Sequence, residues 1–338
     1  MSEQKTRIAI VGYGNVGKGV HRAIFRNPDM ELVGILTRKV ERTRRELVKH
    51  KGSVYAYEVL DADSISEIEK LVPKTDVAIL CGGSATDLPK QGPFYAMYFN
   101  TVDSFDNHDD IPKYDAMMNP NSKAHKNTSI ICAAWDPGTF SLERVLGDSF
   151  FPGSKRYTFW GKGVSQGHSQ AIRKVEGVLD GIQYTVPVQK ALNVVRRGAN
   201  PKLTTRQKHT RECYIALKPG ANKEEIRKTI IEMPTYFADY DTTITIETPK
   251  QIAKRKESMP HGGFVLTSGE TGEGNKALIE YSNQWQSNPE ATGSILIACA
   301  RACHRLNQEG SYGSKTMLDI PPAYYSPRSR DELLKDFM

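Results

Sequence analysis

The sequence contains no run approaching the roughly 18 consecutive apolar residues that a membrane-spanning helix requires. Its opening, MSEQKTRIAIVGYG, carries an apolar stretch too short for a secretion signal, and that stretch breaks into glycines. We therefore expect a cytoplasmic protein with no membrane partner. Cysteine is scarce: there are five, Cys81, Cys132, Cys213, Cys299 and Cys303, with no CxxC pair. An odd, dispersed set excludes a disulfide framework and fits reduced thiols. No cysteine–histidine spacing matches a zinc site, so no metal is expected. Internal repeats and low-complexity tracts are absent as well.

What is present is an ordinary globular composition, 38% hydrophobic and 25% charged, over 338 residues, a length that suits two domains. The net charge of +7 raises the question of nucleic acid. Basic residues cluster only at 42–45 and 49–51, however, and no nucleic-acid-binding motif accompanies them. The expectation is a surface that attracts anionic small molecules, with no nucleic-acid partner.

The first part of the chain alternates short apolar runs with helix-like segments. Strands are predicted at 7–11, 32–36, 76–81, 100–103 and 129–134, with helices at 16–25, 64–71, 88–98 and 111–124. Apolar strands joined by crossover helices predict an α/β fold with an N-terminal Rossmann-type, doubly wound parallel sheet. Near Trp135 the texture changes. Helices are predicted at 140–146, 224–232 and 294–308, and strands at 157–160, 183–188, 210–217 and 242–247, the last three with polar–apolar alternation. That pattern predicts an α+β region with one open, mixed or antiparallel sheet. The expected division is a dinucleotide-binding domain at 1–134 and a second region at 135–289.

Gly12-Tyr13-Gly14-Asn15-Val16-Gly17 forms G-x-G-x-x-G between a five-residue apolar strand and an amphipathic helix, the context in which this pattern points to a dinucleotide. Gly12 suits the tight turn, Gly14 the approach of backbone to pyrophosphate, and Gly17 close helix–strand packing. An NAD site places an acid about 20 residues further on, at the end of the second strand. Here that strand ends in Thr37-Arg38-Lys39. A hydroxyl and two cations suit a 2′-phosphate, so NADP(H) is the cofactor expected. Two further strand ends, Cys81-Gly82-Gly83-Ser84-Ala85-Thr86 and Ser104-Phe105-Asp106, are expected to border the cofactor, because ligands of doubly wound sheets lie beyond the carboxyl ends of the strands. The turn after the fifth strand, Ala133, Ala134, Trp135, Asp136 and Pro137, is placed there too.

Two segments carry the chemistry. Residues 103–110 hold four carboxylates, and Trp135-Asp136 sets an indole beside a carboxylate, a combination that suits a substrate ammonium group. Arg211, on a predicted strand, offers a fork for a carboxylate.

The segments VGYGNVG, CGGSATD, TVDSFDNH, AAWDPGTFS, FWGKGVSQGHS, QYTVP, MPHGG and SNPE occur in order across nearly the whole chain. Together they resemble meso-diaminopimelate D-dehydrogenases. The resemblance implies NADP-dependent, reversible oxidative deamination of the D-centre of meso-2,6-diaminopimelate by a homodimer. The products implied are L-2-amino-6-oxopimelate (which cyclises to tetrahydrodipicolinate), ammonia and NADPH, on a route to lysine and peptidoglycan precursors. It further implies that 290–338 complete the nucleotide domain and that 135–289 serve dimerisation and substrate binding. By the same resemblance Asp106 and Asp136 lie near the reacting amine, where either of them, directly or through water, takes its protons, with Asp110 in the same acidic segment. Trp135 and Trp160 wall the pocket, Gln166 and Gly167 line the substrate's path, and Thr185, Arg211, His261 and Asn288 hold the distal L-configured end. The competing readings are a dihydrodipicolinate-reductase-like or homoserine-dehydrogenase-like enzyme, and a non-catalytic NADPH sensor. The first has no reason to carry WDPG followed by FWGKGVSQGHS, and the second no reason to keep the acidic and aromatic loops.

Overall fold

The computed structural model describes residues 5–50 and 57–338, with 49 and 50 as backbone alone. The side chains of the 49–51 basic cluster thus lie outside the described residues. In the 42–45 cluster, Arg42 pairs with Glu46 and Arg44 with Glu41, each at 2.8 Å.

Two compact units make up the chain: Met1–Leu142 with Pro289–Met338, and Glu143–Asn288. The division falls after Leu142 rather than after 134. The helix Thr139–Phe150 starts on the first unit, where Thr139 and Phe140 donate to the carbonyls of Ala134 and Trp135 at 3.0 and 2.8 Å.

The first unit is built on a seven-stranded sheet. Its order is Glu58–Leu60, Met30–Leu36, Thr6–Val11, Val77–Leu80, Thr101–Asp103, Thr128–Ile130, Gly313–Lys315, and every pairing is parallel. This is the doubly wound dinucleotide-fold order, with one strand added at the far edge by the C-terminal segment. The central strands are apolar throughout because both of their faces are covered. Ile8 and Ile10 join a core with Val20, Leu296, Ala300 and Cys303 on one side. Ala9 and Val11 join another with Leu36, Leu88, Tyr95 and Met118. The late helix runs over Asn288–Gln308, starting earlier than the apolar pattern from 294 suggests, because its first turns are polar. It crosses the helix Asn15–Phe25 where Gly19 meets Pro289 and Gly293; a Cβ on Gly19 or Gly293 would collide with opposing backbone.

The second unit is α+β, but with two sheets where one was expected. A four-stranded mixed sheet runs Asp241–Ile246, His209–Leu217, Val178–Pro187, Gly163–Val164. A three-stranded antiparallel sheet runs Asn275–Trp285, His261–Gly272, Lys155–Trp160. In the long hairpin between the last two extended strands, alternate residues from Ala277 to Trp285 are more buried, and glycines stand at its tip. Among the described residues no helix is long and apolar enough to cross a membrane.

Candidate active site

The strand ends of the first unit converge in register. Gly12 N–H donates to Leu36 O and Cys81 N–H to Val11 O, at 2.8 and 2.7 Å, which joins the glycine loop to the loops on either side. Gly12 has φ +91°, a left-handed conformation that L side chains rarely adopt. A Cβ at Gly17 would collide with the Gly12 carbonyl oxygen, so the helix can approach the strand only with glycine there. At Gly14, by contrast, a Cβ would meet nothing within 4 Å. The helix Asn15–Phe25 has no side-chain cap and no acid in its first turn. Open space ahead of an uncapped helix N-terminus fits a pyrophosphate. The Tyr13 ring is turned along the helix, its hydroxyl 2.6 Å from His21 Nδ1, and Asn15 is exposed while Val16 is half-buried.

At the end of the second strand Thr37 is buried and accepts the Lys39 N–H through Oγ1 at 3.2 Å, which leaves its own proton to donate. Lys39 and Arg38 are exposed. The sequence placed no acid at this strand end, yet one arrives from another loop: Arg38 Nη2 lies 2.8 Å from Asp87 Oδ1. Asp87 also accepts Gly83 N–H at 3.0 Å and the Thr86 hydroxyl at 3.1 Å. Burial raises its pKa, but those hydrogen bonds and the Arg38 charge outweigh it and hold the carboxyl below its ordinary value. Cys81, Gly82 and Ser84 are half-buried, while Gly83, Ala85 and Thr86 are exposed.

The acidic segment divides into one inward and three outward carboxylates. Asp103 is fully buried. Its Oδ1 accepts the N–H groups of Phe105 at 3.0 Å and Cys132 at 3.1 Å, and its Oδ2 accepts the Tyr114 hydroxyl at 2.8 Å. It therefore ties the loop carrying Asp106 to the turn carrying Asp136. Asp106, Asp109 and Asp110 are exposed. Asp106 N–H donates to Ser84 Oγ at 3.1 Å, which in turn donates to Ser104 O at 3.5 Å. The side chain of Phe105 lies in the core, stacked on Tyr114 at 4.3 Å, so that position offers a ligand its backbone alone. Ala133, Ala134 and Pro137 are buried, Asp136 is half-buried, and the Trp135 indole, 8% exposed, meets Phe140 edge-on at 5.2 Å.

Burial pushes the Asp103 pKa up to about 6, against the hydrogen bonds from Phe105, Tyr114 and Cys132. An acid with a raised folded-state pKa binds its proton more tightly when folded, so its contribution to stability is greatest below the unfolded value and declines as pH rises through 6. Asp103→Asn keeps an oxygen for the two N–H groups and removes the titration. Relative to wild type, the variant is expected to gain up to about 3 kcal/mol between pH 4 and 7. Urea unfolding across that range checks it; a constant difference would show that Asp103 does not titrate there.

In the second unit, Arg211 and Thr185 are directly opposed on adjacent strands, and Arg211 Nη1 donates to Thr185 Oγ1. Arg211 is 5% exposed, and its guanidinium stacks 3.7 Å over the Tyr240 ring. Both partners are neutral. Burial lowers the Arg211 pKa, while an arginine stays charged. Arg211 Nε, Gln183 Oε1, His168 Nε2 and Thr242 Oγ1 are buried with no hydrogen-bond partner among the described residues. A buried cation among orphaned polar atoms calls for an anionic, hydrogen-bonding ligand.

Gly163 pairs with Thr185 and packs beneath His261; a Cβ there would stand 2.5 Å from the imidazole. Gln166 and Gly167 open the helix Gln166–Arg173, capped by Ser165, whose N–H donates to Gln183 O at 3.2 Å. Asn288 N–H donates to Met259 O at 2.8 Å, beside the turn that carries His261. Trp160 ends the strand that pairs with Gly263. The second unit thus gathers Trp160, Gln166, Gly167, Thr185, Arg211, His261 and Asn288 around the short strand Gly163–Val164 and its neighbours, and the first unit gathers the glycine loop, Arg38, Asp106 and Asp136 at its strand ends.

Comparison with known proteins bears on this arrangement. The family model of the diaminopimelic acid dehydrogenase C-terminal domain matches residues 134–287. A meso-diaminopimelate D-dehydrogenase of Ureibacillus thermosphaericus is 49% identical over 334 residues, 99% of each chain. The chain belongs to the meso-diaminopimelate D-dehydrogenase family. A six-substitution meso-diaminopimelate dehydrogenase variant of Clostridium tetani, crystallised with DAP, is 46% identical, with a TM-score of 0.90 over 99% of this chain and 100% of that one. An engineered D-amino acid dehydrogenase bound to NADP+ is 37% identical, with a TM-score of 0.84 over 99% and 100%.

Within this family frame, several residues near the candidate site were not legible as such. His209 Nε2 accepts the Trp160 N–H at 2.8 Å and its ring stacks on the indole at 5.1 Å. Burial, with help from Lys208 and Arg211, pushes its pKa down to about 3, so it stays a neutral acceptor. Tyr240 beneath Arg211, Asp87 beside Arg38 and the inward Asp103 complete the group. Only long-range pairing reveals them; Asp87 lies in the quoted CGGSATD segment, but nothing local links it to Arg38.

Proposed function

We propose that this protein catalyses the NADP-dependent, reversible oxidative deamination of the D-centre of meso-2,6-diaminopimelate. The products are L-2-amino-6-oxopimelate, which cyclises to tetrahydrodipicolinate, with ammonia and NADPH. The setting is cytoplasmic lysine and peptidoglycan precursor synthesis, and the working form is a homodimer. The observation that carries this reading is the buried Arg211, held by neutral partners amid orphaned polar atoms. Its planar fork suits one terminal carboxylate of a diacid. Thr185, His261 and Asn288 support the same L-configured end.

When bound, NADP+ supplies the hydride acceptor. Gly12, Gly14, Gly17 and the helix N-terminus hold its pyrophosphate, with Tyr13, Asn15 and Val16 in the same turn. Thr37, Arg38 and Lys39 hold the 2′-phosphate, and the loops at 81–86, 104–106 and 133–137 border the rest. Asp106 or Asp136, directly or through water, would take one proton from the ammonium group, leaving a neutral amine before the Cα–H bond breaks; water then hydrolyses the resulting imine to the oxo acid and ammonia. Asp110 lies on the same acidic segment. Trp135 and Trp160 exclude water, and Gln166 and Gly167 border the substrate. Because the substrate is nearly symmetric, choice of centre follows from which end the distal clamp accepts: the wrong end leaves buried charges unpaired.

The test is reduction of NADP+ in the presence of each diaminopimelate isomer, followed by NADPH absorbance. Turnover is expected with the meso isomer and none with the LL isomer. In the reductive direction the new centre should be D. Turnover of homoserine, or none with the meso isomer, would overturn the proposal.

A further inference from the structure

Asp87 is the acid paired with Arg38 in the nucleotide-preference loop, and the contacts that hold it suggest a role in nucleotide choice. It sits ahead of the helix Leu88–Tyr95, and Gly83 N–H and the Thr86 hydroxyl fix one of its oxygens. The other oxygen takes Arg38 Nη2 at 2.8 Å. The carboxylate is anchored and 21% exposed, whereas the arginine is 59% exposed and reaches toward it. The cation read as the 2′-phosphate ligand therefore already has a counter-charge. A phosphate dianion arriving at Arg38 must share or displace that partner and meets a fixed negative charge beyond it. A nucleotide lacking the phosphate meets neither obstacle.

We propose that Asp87 is a specificity-determining residue that restrains the preference for 2′-phosphorylated nucleotides by competing for Arg38. This rests on the reading of Arg38 as a phosphate ligand. The competition also joins two strand-end loops: the same carboxylate holds the Gly83–Thr86 turn, so a phosphate that draws Arg38 away unloads one side of that turn's anchor.

The test uses binding alone. Titration calorimetry on the full-length protein compares adenosine 2′,5′-bisphosphate with adenosine 5′-monophosphate. Asp87→Asn should tighten the bisphosphate about three- to tenfold and leave the monophosphate within about twofold, as expected for loss of one partly screened charge pair. Asn keeps an oxygen for Gly83 N–H, and Asp87→Ser, which removes the charge in a second way, should give the same gain. In Arg38→Met/Asp87→Asn the gain should vanish. Unchanged or weaker bisphosphate binding in both Asp87 variants, with melting temperatures near wild type, overturns the proposal. Arg38→Met as a single variant separates the two levels. If it leaves the bisphosphate preference intact, the phosphate assignment itself fails; if it abolishes the preference while the Asp87 variants do nothing, only the role of Asp87 fails.

Discussion

Replacing Arg211 with Met is expected to raise KM for diaminopimelate about 100-fold or more while dinucleotide affinity stays unchanged. The proposed bidentate, charge-assisted contact to a substrate carboxylate would be lost, and truncating one partner of such a pair costs about 2–5 kcal/mol. The same change should stabilise the ligand-free protein. In its absence the guanidinium is a buried charge bonded to Thr185 and stacked on Tyr240, both neutral, and its Nε is unpartnered. An apolar side chain of similar length removes that desolvation cost. Steady-state kinetics and thermal melting read the two effects separately. An unchanged KM would remove Arg211 from the substrate site, and a lower melting temperature would show that the free protein neutralises the charge in some other way.

The second large effect concerns the carboxylates. Asp136→Asn and Asp106→Asn should each leave the fold intact, since neither side chain is in the core, and one of them should lower kcat by about 10²–10⁴-fold, the range for loss of a general base. The discriminating readout is the acidic limb of the kcat profile. The variant that abolishes that limb identifies the base, while the other should lower activity without changing its shape. Full activity in both would place proton transfer elsewhere.

Much of the architecture was readable because its signals are local. Five of the seven parallel strands are apolar runs that stop at loops, and the glycine turn owes its identity to positions within six residues of one another. Glu58–Leu60 and Gly313–Lys315 escaped because three residues carry no periodicity, and the latter is polar. The hairpin His261–Gly272/Asn275–Trp285 is not legible in sequence because Ala277-Leu278-Ile279 and Asn283 break the polar–apolar alternation; its period of two shows only in which side chains are buried. For the site, residues in contiguous segments were found and those defined by long-range pairing were not. Asp103 and Asp106 look alike in sequence, yet one is a strand-end residue facing the core and the other lies on the exposed loop. Nothing in the local chain separates them; the hydrogen bonds from Cys132 and Tyr114 do.

The Pro289–Met338 segment packs with Thr6–Val11 and Asn15–Phe25. Its helix fills one side of the core around Ile8, Ile10 and Val20, and Gly313–Lys315 closes the sheet's edge against Thr128–Ile130. A ribosome that has emitted everything up to Asn288 has therefore released a complete inner unit but a nucleotide lobe with one flank bare. Synthesis must run through Pro289–Met338 before that lobe can close. A premature stop after the middle unit leaves the unpaired apolar flank facing solvent, a species destined for aggregation or proteolysis rather than for weak catalysis.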